Sequence, residues 1–153
     1  AGELSCFVSD FDAAADPANE VHGMRNYAWT WRISALAISQ RFAQLKGLEH
    51  ADGVMLFDAY EAGDPDARTV VQEYASIAAA GIMSLQAVLD LQRYAIGGGI
   101  SARPEATSVI ADEVDRIFDA KPNLPFSKPE IVTCQFGNEA NLIGALAFHL
   151  GSA

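Results

Sequence analysis

The sequence predicts an α/β fold, and three observations carry that prediction. Apolar residues recur at spacings of three and four from Val70 to Leu89, which marks a long amphipathic helix. Two short β-prone runs, Arg93-Tyr94-Ala95-Ile96 and Ile131-Val132-Thr133-Cys134, are each followed by turn residues and a further helical pattern. The resulting order of strand, helix, strand, helix at the C-terminal end implies a parallel βαβ unit.

Taken in order, Leu4-Ser5-Cys6-Phe7-Val8 reads as a strand, and 9–19, rich in Asp, Ala and Pro, as a polar loop. Residues 25–31 alternate Tyr27, Trp29 and Trp31, which fits either a strand or an aromatic lid entering a helix. Ile33, Leu36, Ala37 and Leu45 mark one face of a helix over 33–45. Asp52 caps a short helix through Ala62, and Asp64-Pro65 supplies a capping acid followed by proline at the first helical position. The long helix from there, with Val70, Val71, Tyr74, Ala78, Ile82, Leu85 and Leu89 on one face, runs to about Leu91. Pro104 opens the next helix, whose face holds Val109 or Ile110, then Val114, Ile117 and Phe118. Pro122 and Pro125 make 121–128 a loop, and Asn138 caps a last helix built on Leu142, Leu146 and Leu150. All three strands are expected in one sheet, flanked by the helices at 66–91, 104–119 and 138–150.

Length and composition set limits on function. The 153 residues, half apolar and a fifth charged, fit a single domain with a sizeable core. No stretch approaches the roughly 20 apolar residues of a membrane span, and no basic segment precedes an apolar run as in a signal peptide. A cytoplasmic protein is expected. The start Ala1-Gly2-Glu3, without Met, suggests that the natural N-terminus lies elsewhere or that a tag or longer segment was removed. Net charge is −10 and the ten Lys and Arg form no stripe, so nucleic-acid binding by this segment is not expected. Cys6 and Cys134 stand far apart, which excludes a C-x-x-C pair or a zinc ribbon built within the chain. His22, His50 and His149 lie at no metal-ligand spacing.

Gly97-Gly98-Gly99-Ile100-Ser101-Ala102 fits the loose pattern G-x-G-x-x-[GA] between a strand and a helix. A dinucleotide site also needs an acid at the end of the next strand, which here ends Thr133-Cys134-Gln135. What remains is either a tight turn or a place where backbone closely approaches a ligand. Glu3 could accept hydrogen bonds from sugar hydroxyls or stand as a solvated terminal residue. Tyr27, Trp29 and Trp31 are core or interface anchors, or a stacking platform for a ring.

Three segments together resemble the end of ROK-family proteins, bacterial sugar kinases and sugar-sensing repressors. They are Tyr94-Ala-Ile-Gly-Gly-Gly-Ile-Ser101, Pro104, and Phe136-Gly-Asn-Glu-Ala-Asn-Leu-Ile-Gly-Ala-Leu146. Gly2-Glu3-Leu4 is similar to the family's Gly-Glu strand opening, and the similarity is strongest over 77–150. The resemblance implies the C-terminal lobe of an actin-like ATPase (ribonuclease H-like) fold, with a mixed sheet flanked by helices. It implies ATP with Mg²⁺ between the lobes of the full-length protein, its adenosine beside Gly97, Gly98 and Gly99, of which Gly98 and Gly99 lie closer, and a sugar at Glu3. It also implies a homodimer.

The departures are specific. Ser5-Cys6 stands where family members have Gly-His, and residues 9–23 hold no cysteine, so no structural zinc is expected. The family's phosphate loop and general-base Asp belong upstream of Ala1, so no catalytic residue is assigned and these residues alone are not expected to transfer phosphate. The kinase lobe is the first reading. The effector domain of a sugar-binding transcriptional repressor is the alternative, and an inactive dimerisation module is a third.

Overall fold

The structure is a computed structural model that describes residues 7–18, 24 and 26–151. Seven helices and a two-stranded sheet follow one another among these residues: α1 Phe11–Ala15, α2 Trp29–Arg32, α3 Ala35–Lys46, α4 Gly53–Glu61, α5 Pro65–Leu89, β1 Arg93–Ile96, α6 Pro104–Ala120, β2 Glu130–Thr133 and α7 Ala140–His149. None of these helices is long and apolar enough to cross a membrane.

The capping residues act as their chemistry dictates. Asp64 Oδ1 accepts from the N–H groups of Asp66 and Ala67 at 2.9 and 3.0 Å, and Pro65, which has no N–H to leave orphaned, opens α5. Asp52 Oδ1 accepts from Met55 N at 2.8 Å at the start of α4, and Ser34 Oγ from Ala37 N at 3.2 Å at the start of α3. Each cap satisfies a donor that the first helical turn leaves without an internal partner.

Helix α5 is the axis of the core. Val70, Val71, Tyr74, Ala78 and Ile82 form its buried stripe, against which α3, α4 and α6 pack through Phe42, Leu56, Phe57, Ile110 and Val114. The expected stripe continued to Leu89, but Leu89 is exposed and Gln86, one turn beyond Ile82, is buried in its place. On α3 the buried face is Ile38, Ser39, Phe42 and Ala43, whereas Leu36 and Leu45 are exposed. The helix carries two overlapping apolar stripes, and the one holding its bulky Phe42 turns inward.

The sheet is parallel, with Arg93 opposite Glu130 and Ile96 opposite Thr133, so the βαβ unit is present. It has two strands among the described residues, where three strands and a mixed sheet were expected. The described end of the third, Phe7-Val8, does not join: Val8 makes an isolated antiparallel bridge with Ala28, and residues 4–6 lie outside the described residues. Two further expectations are corrected locally. The polar loop at 9–19 contains α1, capped by Asp10. The last helix begins at Ala140 after a 3₁₀ turn, Gly137–Glu139, so position 138 lies within that turn and the helix has no side-chain cap. Helix α7 buries none of its residues: Leu142, Leu146 and Leu150 are 74%, 58% and 67% exposed, although a helix face against the sheet was expected.

One ionisable group is drawn into the α5–α6 contact. The Glu113 carboxylate, only 7% exposed, is forked by Arg116 at 2.7 Å through both Nε and Nη2 and receives Ser76 Oγ at 3.3 Å. The hydrogen bonds from Arg116, foremost, hold its pKa below the ordinary 4.5. A pKa depressed on folding stabilises the fold above the unfolded value, and the contribution is lost as pH falls through the folded one. Glu113→Gln should therefore cost about 1 kcal/mol at neutral pH and flatten the acid limb of the stability curve below about pH 4. Thermal melts of both proteins from neutral pH down to about pH 3 measure the difference. Equal acid limbs would show that Glu113 is not a determinant.

Candidate ligand site at the glycine turn

The three glycines singled out in the sequence sit where a parallel sheet most often meets its ligand, at the carboxyl end of a strand. Strand β1 ends at Ile96, the chain turns through Gly97 and Gly98, and a 3₁₀ turn, Gly99–Ala102, leads into α6. Gly98 has φ +83° and ψ −177°, a conformation that a residue with a Cβ rarely adopts. A Cβ at Gly98 would meet nothing within 4 Å, so the turn is open there, whereas one at Gly97 would lie 3.4 Å from Cys134 Cβ.

Two cavities flank the turn. One, of about 570 Å³, is mostly apolar and is lined by all three glycines together with Trp29, Tyr74 and Tyr94. The other, of about 350 Å³, lies against Gly99 and the starts of α3 and α4, with Asp52, Val54 and Phe57 in its wall. Ala35, Gly99 and Ile100 line both.

The side chains around the turn are mostly committed. Arg103 pairs with Asp58 and reaches Glu61 at 3.5 Å, which ties the start of α6 to α4, and the hydrogen bond it donates to Asp58 pushes its pKa up. Tyr94 donates its hydroxyl to Gln86 Oε1 at 3.0 Å, and burial, followed by the Asp90 carboxylate, raises its pKa. The larger cavity thus offers aromatic faces. Among the described residues no three His, Cys, Asp or Glu gather into a metal-binding group.

Glu3, the residue expected to meet a sugar, lies outside the described residues. The aromatic cluster divides: Trp29 is buried and donates Nε1 to Ile77 O at 2.8 Å, while Trp31 is 39% exposed. The sequence reading missed Tyr94 and the walls that α3 and α4 supply. Periodicity carries no signal for which helix start will face a turn some fifty residues later.

The sequence pattern of the ROK family matches residues 26–151, which includes β1, the glycine turn, α6, β2 and α7. The chain belongs to the ROK family. A beta-glucoside kinase of Klebsiella pneumoniae is 28% identical over 148 residues, 95% of this chain and 45% of the relative. A Streptococcus pneumoniae ROK family protein solved with sucrose aligns with a TM-score of 0.79 at 21% identity, covering 98% of this chain and 48% of that one. A ROK family glucokinase of Streptomyces griseus, solved with glucose and AMPPNP, aligns at 0.58 and 23%, covering 83% of this chain and 41% of that one. The chain spans about half the length of the relatives it matches. ROK membership makes the α/β fold one shared with these proteins, and their sugar-kinase members are its relatives.

Proposed function

We propose that this chain is the C-terminal, nucleotide-binding lobe of a ROK-family sugar kinase, a single domain on the actin-like ATPase fold. The observation that carries the reading is the open glycine turn, with Gly98 at positive φ in the wall of the larger cavity and Gly99 lining both. The adenosine of ATP lies along Gly98 and Gly99, where the two cavities meet at Ala35 and Ile100. The absence of a side chain at Gly98 lets the ligand approach the backbone. The aromatic and aliphatic walls suit a flat base, as ligand cavities generally do. Bound ATP with Mg²⁺ supplies the phosphoryl group and neutralises its charge. Asp52 is engaged in capping α4, and Asp58 and Glu61 hold Arg103, so Mg²⁺ enters with the nucleotide. Glu3 accepts a hydrogen bond from a sugar hydroxyl. No group of this chain is assigned the part of general base.

Calorimetric titration of ATP and of glucose into the wild type and two variants tests both halves of the proposal. Gly98→Val should weaken ATP on the order of tenfold, because a branched residue disfavours positive φ and its methyls fill the approach. Its glucose affinity should be unchanged. Glu3→Gln should do the reverse, since a hydrogen bond to a charged group contributes roughly 1.5–3 kcal/mol. If Gly98→Val binds ATP as the wild type does, the glycine turn is only a turn.

A further inference from the structure

We infer that Ser101 is a positioning residue for nucleotide binding, its buried hydroxyl holding the Gly98–Gly99 peptide in the orientation presented to the ligand. The inference rests on the nucleotide reading above. Gly98 lies in a region of φ that glycine visits readily, and glycine has no side chain to hold it there. Two adjoining glycines leave the peptide between them free to rotate unless something ties it. The Gly98 carbonyl is tied twice, accepting from Ser101 Oγ at 2.8 Å and from Ser101 N at 3.1 Å. Among the described residues, Ser101 is the side chain that the structure shows hydrogen-bonded to the backbone of 97–99. It is 6% exposed, so water does not compete freely for the bond.

A trans peptide is a rigid plane, so turning the Gly98 carbonyl toward Ser101 turns the Gly99 N–H to the opposite side. Gly99 lines both cavities, so the two bonds from Ser101 together hold the face it offers them, the hydroxyl being the shorter. The strand side of the turn is anchored separately, by Cys134 N donating to Ile96 O at 2.8 Å. The backbone N–H of Ser101 already closes the 3₁₀ turn, so the hydroxyl is not needed for the helix to form. Its loss should appear in ligand affinity more than in stability.

AMPPNP is titrated into the wild type, Ser101→Ala and Ser101→Thr, with a thermal melt of each. The expected result is an affinity loss on the order of threefold to tenfold for Ser101→Ala, the worth of one neutral hydrogen bond, with its melting temperature close to that of the wild type. Ser101→Thr, which keeps the hydroxyl, should restore the affinity. Equal binding by Ser101→Ala and the wild type overturns the inference alone, and so does a Ser101→Thr protein that binds as weakly as Ser101→Ala. A wild type that binds no AMPPNP overturns the nucleotide reading itself, and this inference falls with it. Should Ser101→Ala not fold, amide spectra of the wild type decide: the Gly98 and Gly99 resonances must shift on adding AMPPNP, and resonances that stay in place refute the assignment.

Discussion

Gly81→Ala should lower the melting temperature on the order of 10 °C, although alanine is the better helix former. Gly81 lies inside α5, where replacing glycine by alanine ordinarily gains about 1 kcal/mol. Here the added methyl would stand 2.1 Å from Trp29 Cε2 and 2.4 Å from Nε1. The indole cannot step aside cheaply, because it is buried and its Nε1 donates to Ile77 O, one turn back on the same helix. It also meets Phe7 edge to face, with ring centroids 6.1 Å apart. Overpacking of this kind costs roughly 1–3 kcal/mol or more, and a contact this short belongs at the upper end, so the clash outweighs the propensity gain. For a chain of this size each kcal/mol moves the midpoint by about 2–4 °C. An alanine variant that melts at or above the wild-type temperature would show that the indole is free to move.

Gln86→Leu should cost roughly 3–5 kcal/mol, read as a lower urea midpoint at unchanged slope. Gln86 is fully buried and every polar atom of its amide is in use. Oε1 accepts from Leu91 N at 3.1 Å and from the Tyr94 hydroxyl at 3.0 Å. The two Nε2 hydrogens are shared among three acceptors, Ser127 O at 2.9 Å, Leu91 O at 3.0 Å and Asp90 Oδ1 at 3.1 Å. Leucine keeps the volume and leaves buried donors and acceptors unpaired, which is where most of the cost arises. Glutamate is no rescue, because three acceptors converge on the Nε2 side and would face a carboxylate oxygen. A midpoint within error of the wild type for Gln86→Leu would mean that water or a rearranged loop satisfies these groups.

The contrast between what could be read and what could not is physical. Asp64-Pro65, Asp52 and Pro104 fix helix starts by local hydrogen bonding and φ alone, so neighbouring residues suffice to find them. The two parallel strands and the glycine turn were visible for the same reason: β-branched residues and glycines bounded by helices. Asp10 before an alanine-rich run was a legible cap that composition obscured. The inward face of α3, the exposure of α7 and the role of Gln86 depend on which surfaces meet. Gln86 did leave a trace, as a polar residue one turn beyond Ile82 on an otherwise apolar stripe. The family resemblance reached the glycine turn, whereas the cavity walls on α3 and α4 emerged only from packing.

The two indoles of this chain, two residues apart on helix α2, occupy opposite surroundings: Trp29 is enclosed against α5, and Trp31 is partly open to solvent. Ultraviolet emission from the native chain is therefore a sum of a blue-shifted component shielded from dissolved quenchers and a redder one within their reach. On denaturation only the first has far to travel in wavelength. Because the shielded ring rests on the central helix, its emission reports the integrity of the core, while its neighbour serves as an internal reference.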